Sequence, residues 1–375
     1  MPFINDMIAD SEKKKKNIEA LQAENSSEND VINSHISDSK GLNSRFRFNI
    51  DTIMASVKSE IIGQDQAILA VEDMLKVVRA DITDPRKPLY TSLFLGPTGV
   101  GKTEIVRALA RSLYGDADAF CRIDMNTLSQ EHYAASLTGA PPGYVGAKEG
   151  KTIIDQEKIE GKLGLPGIVL LDELEKASKE VHQALLNVFD NGLLTVASGE
   201  KTYSFRNAII FMTSNLAAQE IQSLEEKHQH PIYGMITRNI SRRKKAVDTI
   251  IKKKMLNTFS PEFVNRIDNI TTFNWIEAST VEKIVELEIK NLNRRLKKHN
   301  CMVEVENDII KLIANSGFDR QFGARSLRRS MRKILEVPLA EYLLDHHRAD
   351  ETSFNKIIYR AQLSNSEVNF ITKQI

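Results

Sequence analysis

The sequence predicts an α/β fold with a parallel sheet flanked by helices, followed by a smaller, mainly helical C-terminal domain. The apolar segment TSLFLG leads through a glycine-rich turn into the helical pattern TEIVRALARSLYG. Two further apolar segments, GIVLLDE and NAIIFMTSN, are each flanked by helical sequence. Strands that alternate with helices favour a parallel sheet. After Trp275, the segment STVEKIVELEIKNLNRRLKKH carries a broad apolar stripe at helical spacing, which indicates the second domain.

Composition divides the chain into three parts. Residues 1–45 are rich in Ser, Asn, Glu and Lys, so they lack the apolar surface that offsets ordering entropy, and we expect a disordered tail. Residues 46–275 should form the large α/β domain, and residues 276–375 the small lid domain. Within the large domain, the basic segment 217–258 shows no core pattern at its start and is interpreted as a solvated insertion. The last segments, SFNKIIYRAQ and EVNFITKQI, alternate as a hairpin does.

Bulk properties argue against several classes of protein. The 51 basic and 50 acidic residues give a net charge of +1, which provides no global field for holding nucleic acid. No apolar run is long enough to span a membrane, and the N-terminus has no apolar core of a signal peptide. Cys121 and Cys301 lie outside any metal-ligand spacing and are expected to be reduced thiols. We therefore expect a cytoplasmic protein without membrane partners.

A glycine-rich motif predicts a phosphate site. The segment GPTGVGKT matches the P-loop pattern in full and lies between a strand and a helix. Its backbone N–H groups can turn towards phosphate oxygens, and the following helix presents its positive dipole end. Lys102 should contact the β- and γ-phosphates of ATP, and the Thr103 hydroxyl should bind Mg²⁺. The expected nucleotide-binding residues here are Gly96, Pro97, Thr98, Gly99, Val100, Gly101, Lys102 and Thr103.

A second motif supplies carboxylates. The segment IVLLDE is an apolar strand that ends in Asp172 and Glu173, as in a Walker B motif. We expect Asp172 to hold Mg²⁺ and Glu173 to orient or deprotonate the attacking water. An acidic pair at a strand end is common by itself. The Walker B assignment therefore depends on the P-loop in the same chain.

The residues around these motifs resemble the AAA+ module of Clp-type unfoldases, most closely the second module of ClpA and ClpB, over roughly residues 50–345. The resemblance rests on IIGQDQA, GAPPGYVG, LLDELEKAS, FRNAIIFMTSN, FSPEFVNRID and GFDRQFGARSLRR. It implies an AAA+ fold with a lid domain, a homo-oligomeric, hexameric ring, and ATP-driven unfolding or disaggregation of a polypeptide substrate. Unlike its two-module relatives, the chain carries one such module.

The resemblance also implies roles for five more residues. Ile61 and Ile62 would contact the adenine, although plain core packing explains each equally well. Asn215 resembles the sensor-1 residue that positions water, and it could also cap a helix. Arg266 in NRID resembles an arginine finger that reaches the site of a neighbouring subunit. Arg325 in GAR resembles the sensor-2 arginine on the lid domain; for both arginines a surface salt bridge is the alternative.

Two segments resemble substrate-contacting pore loops. The first is the tetrapeptide Gly143, Tyr144, Val145 and Gly146, in which an aromatic side chain between glycines could grip a polypeptide without reading its sequence. A tyrosine packed in a tight turn is the alternative. The second, NGLLTVASGEKTYSF, is predicted as a hairpin with Gly199 and Glu200 at its tip. It carries Leu193 where the family commonly has a basic residue.

Two other functions remain open. A non-threading AAA+ regulator would remodel one partner complex by nucleotide-dependent assembly, and a DNA-associated motor would use the basic segment 217–258. Neutral net charge and the GYVG motif argue against the DNA motor. The tail could bind an adaptor. A peptidase ring is a further candidate partner, because Tyr233 to Met235 loosely resemble a docking tripeptide.

Overall fold

The structure is a computed structural model that describes residues 42–129, 154–195, 202–218, 220, 240–319, 323–347, 357–364 and 367–373. The fold lies in the compact unit Arg45–Ile375. It contains a large domain built on a parallel sheet, up to Phe273, and a small domain that begins at Ile276 with its own hydrophobic core.

The large domain is organised by a parallel sheet, as predicted. Its strand order is β2-β3-β6-β1-β7, and every neighbouring pair is parallel. A separate antiparallel pair, β4 and β5, forms a short hairpin. The strands are β1 (Tyr90–Leu95), β2 (Cys121–Asp124), β3 (Gly167–Asp172), β4 (Leu193–Thr195), β5 (Thr202–Ser204), β6 (Ala208–Ser214) and β7 (Asn269–Thr272). Because the sheet strands are parallel, their carboxyl ends meet at one edge, where open α/β sheets bind ligands.

Helices cover both faces of this sheet. They are α1 (Ile50–Glu60), α2 (Asp65–Ala80), α3 (Lys102–Tyr114), α4 (Gln156–Glu160), α5 (Lys179–Asn191), α6 (Ile240–Thr258) and α7 (Pro261–Val264). Local chemistry sets several ends. Ser178 accepts a hydrogen bond from the Val181 N–H at the start of α5, and Gly192 ends that helix in the left-handed conformation. Strands β3 and β6 are buried along their whole length, which explains their continuous apolar runs.

Part of the segment 217–258 belongs to the core, so its interpretation as a solvated insertion is wrong there. Helix α6 buries Ile251 and Met255 against the same cluster as β3 and β6. Lysines that surround these residues mask the apolar stripe in the sequence, because only one helix face needs to be apolar. Residues 221–239 lie outside the described residues, and so do the tip of the predicted second pore hairpin and the N-terminal tail up to residue 41.

The small domain combines helices with a three-stranded sheet. Its elements are α8 (Ala278–Leu296), β8 (Cys301–Val305), α9 (Asn307–Gly317), α10 (Ala324–Met331), α11 (Val337–His346), β9 (Ile357–Ser364) and β10 (Glu367–Lys373). The predicted C-terminal hairpin is confirmed as the antiparallel pair β9–β10. Strand β8, which pairs in parallel with β9, was not predicted. It is short, and only the distant β9 completes its backbone hydrogen bonds. Within the described ranges, every helix is too short or too polar to span a lipid bilayer.

Candidate functional site

A cavity of about 460 Å³ opens at the carboxyl edge of the sheet, between the two domains. The P-loop forms one wall, and the ends of β3 and β6 form another. Small-domain residues on α8 and α10 close the third side. Its lining includes Ile61, Ile62, Thr98, Gly99, Val100, Gly101, Lys102, Thr103, Asp172, Glu173, Asn215 and Arg325. The fold therefore brings predicted site residues that are far apart in the sequence together around one cavity.

The P-loop forms an open cradle. It follows β1, and its last two residues, Lys102 and Thr103, begin α3. Gly101 has a φ of 106°, and a Cβ added there would meet no atom within 4 Å, so the backbone faces free space. Backbone N–H groups at a helix N-terminus beside such space suit the phosphate groups of a nucleotide. The chain at this point therefore fits the ligand that the motif predicts.

Lys102 is buried at the base of the cradle, with 8% of its surface exposed. Its Nζ donates hydrogen bonds to the carbonyl oxygens of Gly96 and Pro97 and, at 2.8 Å, to Asn215 Oδ1. Burial lowers the pKa of Lys102 to about 8, although the negative charges of Glu175, Asp172 and Glu173 oppose that shift. The P-loop and the end of β6 are thus joined through one ammonium group.

This lowered pKa predicts a pH dependence of ATP binding. Phosphate oxygens favour the protonated ammonium, so ATP should raise the pKa of Lys102, and affinity should be lost as pH rises above about 8. The loss can reach about tenfold per pH unit, until the bound-state pKa is passed. Equilibrium titrations with a fluorescent ATP analogue from pH 7 to 10 would measure it. Lys102→Arg is the matched control, because its guanidinium stays charged and should flatten the profile; an equally steep profile in that variant would contradict the assignment.

Asp172 is the last residue of β3, and Glu173 follows it with different contacts. Thr213 Oγ1 donates to Asp172 Oδ1, and Arg122 Nη2 donates to Asp172 Oδ2 at 2.6 Å. Glu173 has a left-handed backbone, with φ 57° and ψ 52°, and its N–H donates to Thr213 Oγ1 at 3.1 Å. Non-glycine residues in this conformation are strained and concentrate at functional sites. Thr213 therefore positions both carboxylate residues.

Three residues near the carboxylates were not predicted. Arg122 and Thr213 contact Asp172, and Glu175 Oε1 accepts a hydrogen bond from the Asn215 N–H at 3.1 Å. Glu175 Oε2 is buried and has no hydrogen-bond partner among the described residues. Only the TSN motif hinted at Thr213, since it places a hydroxyl two residues before Asn215 on a buried strand.

Oxygen ligands for Mg²⁺ are present in the cavity. Thr103 and Asp172 both line it, and hydroxyl and carboxylate oxygens are the ligands that this ion prefers. No group of three or more His, Cys, Asp or Glu side chains suited to a metal occurs among the described residues. The donors therefore fit an ion that phosphate oxygens and water would help to hold, as is usual for Mg²⁺.

The small domain contacts the P-loop directly. The Ala324 N–H donates to the Gly99 carbonyl at 3.0 Å. This close approach of the two backbones requires glycine at position 323, because a Cβ there would lie 2.8 Å from the Gly99 oxygen. Gly323 also has a φ of 53°, which glycine adopts readily. Arg325 follows at once and lines the cavity. The GAR motif and the P-loop thus meet through their backbones.

Arg266 lies away from this cavity. Its Nε contacts Asp190 Oδ1 at 2.5 Å, and its side chain is 43% exposed. It lines a second cavity of about 320 Å³, together with Thr83, Lys87, Tyr90 and Asp268. Arg266 is therefore the one predicted catalytic residue absent from the lining of the first cavity.

The predicted pore-loop residues Gly143, Tyr144, Val145 and Gly146 lie outside the described residues.

Known families match both domains. The AAA domain (Cdc48 subfamily) matches residues 87–270, and the C-terminal, D2-small domain of ClpB protein matches residues 276–355. Their junction at residues 270–276 coincides with the end of β7 and the start of the small-domain core.

Curated relatives extend over the same region. The chain is 57% identical over 373 residues to the ATP-dependent protease ATP-binding subunit-like protein AmiB of Pseudomonas aeruginosa, covering 100% of both chains. It is 41% identical to an ATP-dependent protease ATP-binding subunit-like protein of Rhodococcus erythropolis, covering 80% of this chain and 84% of that protein. The chaperone protein ClpB of Oceanobacillus iheyensis is 40% identical, over 76% of this chain but only 34% of ClpB.

Solved structures show the same fold. An Hsp104 closed-state reconstruction with ATPγS and FITC-casein superposes with a TM-score of 0.68 at 28% identity, covering 86% of this chain and 51% of that chain. A Saccharomyces cerevisiae Hsp104–casein complex in the extended conformation gives a TM-score of 0.69 at 26% identity, with coverages of 88% and 53%. These similarities, with the P-loop cavity and the two matched domains, place the chain in the Clp-type family of AAA+ ATPases.

Proposed function

We propose that this protein is an ATP-driven unfoldase or disaggregase that threads polypeptide through the pore of a homo-oligomeric, hexameric ring. The similarity to Hsp104 carries the proposal, because it spans both domains and the Hsp104 structures contain casein, a polypeptide. The GYVG motif supplies the aromatic side chain that such a pore needs. The names of two relatives, ATP-dependent protease ATP-binding subunit-like proteins, leave a peptidase ring open as a partner.

The residues of the cavity would divide the hydrolytic work. Lys102 would hold the β- and γ-phosphates, while Thr103 and Asp172 would hold Mg²⁺, which neutralises the charge that develops on the phosphate oxygens. Glu173 would accept the proton of the attacking water, and Asn215 would help to orient that water. Arg325 would bring positive charge from the small domain. Asn215 Oδ1 already contacts Lys102 at 2.8 Å, which supports a role at the γ-phosphate end of the cavity.

The position of Arg266 is an argument for the proposed ring. A guanidinium stabilises the charge that spreads over the γ-phosphoryl group, but Arg266 lines a different cavity from its own P-loop. It would therefore act on the site of a neighbouring subunit, and a head-to-tail contact of that kind closes into a ring when the rotation allows. Its ion pair with Asp190 is partly exposed, so breaking it costs about 1 kcal/mol or less.

Tyr144→Ala is the test of threading. The variant removes the aromatic grip and no residue of the ATP cavity, so ATP hydrolysis should stay near the wild-type rate. Unfolding of a tagged model protein, or recovery of an aggregated one, should fall roughly tenfold or more, because aromatic contacts supply much of the binding energy at a protein surface. Both activities would be measured on the same preparations.

Tyr144→Phe is the matched control, since it keeps the ring and should keep the remodelling activity. Full remodelling by Tyr144→Ala on a verified client would favour the non-threading regulator. Stimulation of ATP hydrolysis by single-stranded DNA, and not by unfolded casein, would favour the DNA-associated motor instead.

A further inference from the structure

A buried carboxylate joins the two domains beside the ATP cavity. Glu60, the last residue of α1, has only 7% of its surface exposed. Its Oε2 pairs with Arg111 on α3, and its Oε1 accepts hydrogen bonds from Arg294 on α8 at 3.3 Å. Arg111 belongs to the P-loop helix, whereas Arg294 belongs to the small domain. The three side chains therefore form an Arg–Glu–Arg bridge across the domain boundary.

One arginine would be enough to neutralise this carboxylate. A buried carboxylate needs a charged partner, and Arg111 lies in its own domain. The second guanidinium, from Arg294, therefore adds an attraction that depends on where the small domain lies. Arg294 is half-exposed, so it can leave the contact for water at modest cost, whereas Glu60 cannot. This asymmetry suits a contact that forms and breaks as the domains move.

A second bridge also connects α3 with α8 of the small domain, nearer the phosphate cradle. Arg328 on α10 contacts Glu288 on α8 at 2.7 Å and Glu104 on α3 at 3.5 Å. Glu104 and Arg111 are seven residues apart on α3, about 10 Å along one helix face. Helix α3 therefore contacts the small domain near both of its ends. Two separated contacts fix the angle between the domains, whereas a single contact would let the small domain rotate about it.

The Arg–Glu–Arg bridge also lies next to the residues predicted to contact the adenine. Glu60 lines the cavity and immediately precedes Ile61 and Ile62 in the chain. From the small domain, Ile276, Ile284 and Leu287 line the same cavity. A nucleotide bound between these two apolar walls would need both domains at the angle that the bridge sets.

We propose that Glu60 is a positioning residue, which holds the small domain over the nucleotide by recruiting Arg294 to the pair it makes with Arg111. The proposal rests on ATP binding in this cavity. Loss of the bridge would let the small domain turn away, and the apolar contacts from α8 to the nucleotide would weaken. ATP affinity should then fall more than turnover at saturating ATP, because the carboxylates and Lys102 stay in place.

The test compares Arg294→Ala, Glu60→Gln and the double variant with Arg295→Ala. Arg295 is the matched control, because it is adjacent on α8 and pairs at 2.6 Å with Glu336 inside the small domain. Arg294→Ala should raise the ATP dissociation constant roughly tenfold, within the range usual for coupling between sites. The double variant should bind no more weakly than Glu60→Gln alone, since both changes break the same bridge. Arg295→Ala should bind as the wild type does.

A distance measurement separates positioning from mere stabilisation. Spin labels at Glu157→Cys and Lys311→Cys, both exposed positions, report the separation of the two domains, and both native cysteines are buried. In a ring, labelled chains would be diluted with unlabelled ones. With ATPγS bound, Arg294→Ala should broaden the distance distribution, and Arg295→Ala should not. An unchanged distribution and dissociation constant in Arg294→Ala would overturn the proposal, as would a lower melting temperature with an unchanged distribution. Failure of the wild type to bind ATPγS would instead contradict the proposed function.

Discussion

Glu173→Gln should bind ATP about as well as the wild type and hydrolyse it roughly 10²- to 10⁴-fold more slowly, the range typical of losing a general base. The phosphate and metal groups do not depend on the Glu173 carboxylate. Asp172 is held by Thr213 and Arg122, and the Glu173 backbone N–H keeps its bond to Thr213 after the substitution. Equilibrium binding and steady-state phosphate release would measure the two effects separately.

The control for this variant is Glu180→Gln. Glu180 is exposed in the first turn of α5, seven residues beyond Glu173, and the change removes the same charge without touching the cavity. It should leave turnover unchanged. Hydrolysis by Glu173→Gln at the wild-type rate would show that another group activates the water, and Glu175 would be the next candidate because its Oε2 is buried without a partner.

The second large effect concerns complementation between subunits. Lys102→Ala should lower turnover roughly 10²- to 10³-fold, as removal of a transition-state donor does. Arg266→Ala should lower it roughly 10³- to 10⁵-fold, as loss of an arginine finger does. Mixed at equal ratio, the two variants should recover about a quarter of the wild-type turnover. Only interfaces that pair an intact P-loop with an intact finger are active, and each face of a head-to-tail contact comes from a different subunit.

The control for the mixture is a chain that carries both substitutions. Mixed with either single variant, it cannot supply both missing groups to one interface, so turnover should stay low. Co-assembly would be verified by pull-down of differently tagged chains. A mixture of the single variants that co-assembles and shows no recovery would place the action of Arg266 within its own subunit, through contacts such as that with Asp190.

Short, regular patterns were enough to predict the main elements. The P-loop, the apolar segments of β3 and β6 and the C-terminal hairpin were all predicted correctly as elements, because each depends on residues close together in the chain. The family was predicted from motifs for the same reason and is confirmed by the matched domains. Strands β2, β7 and β8 and the buried face of α6 were missed. The three strands are completed only by the distant strands that they pair with, and the lysines of α6 mask its buried face in the sequence.

By itself, the sequence determined which residues could handle phosphate and where the strands that carry them end. The tertiary structure decided which other side chains reach those residues. Thr213 and Arg122 contact Asp172 across neighbouring strands of the sheet, from 41 and 50 positions away. Glu60 meets Arg294 across 234 positions. No local pattern predicts such pairs, because a buried charge is satisfied by whichever group the packing brings within a few ångströms, and chain distance has no part in that interaction.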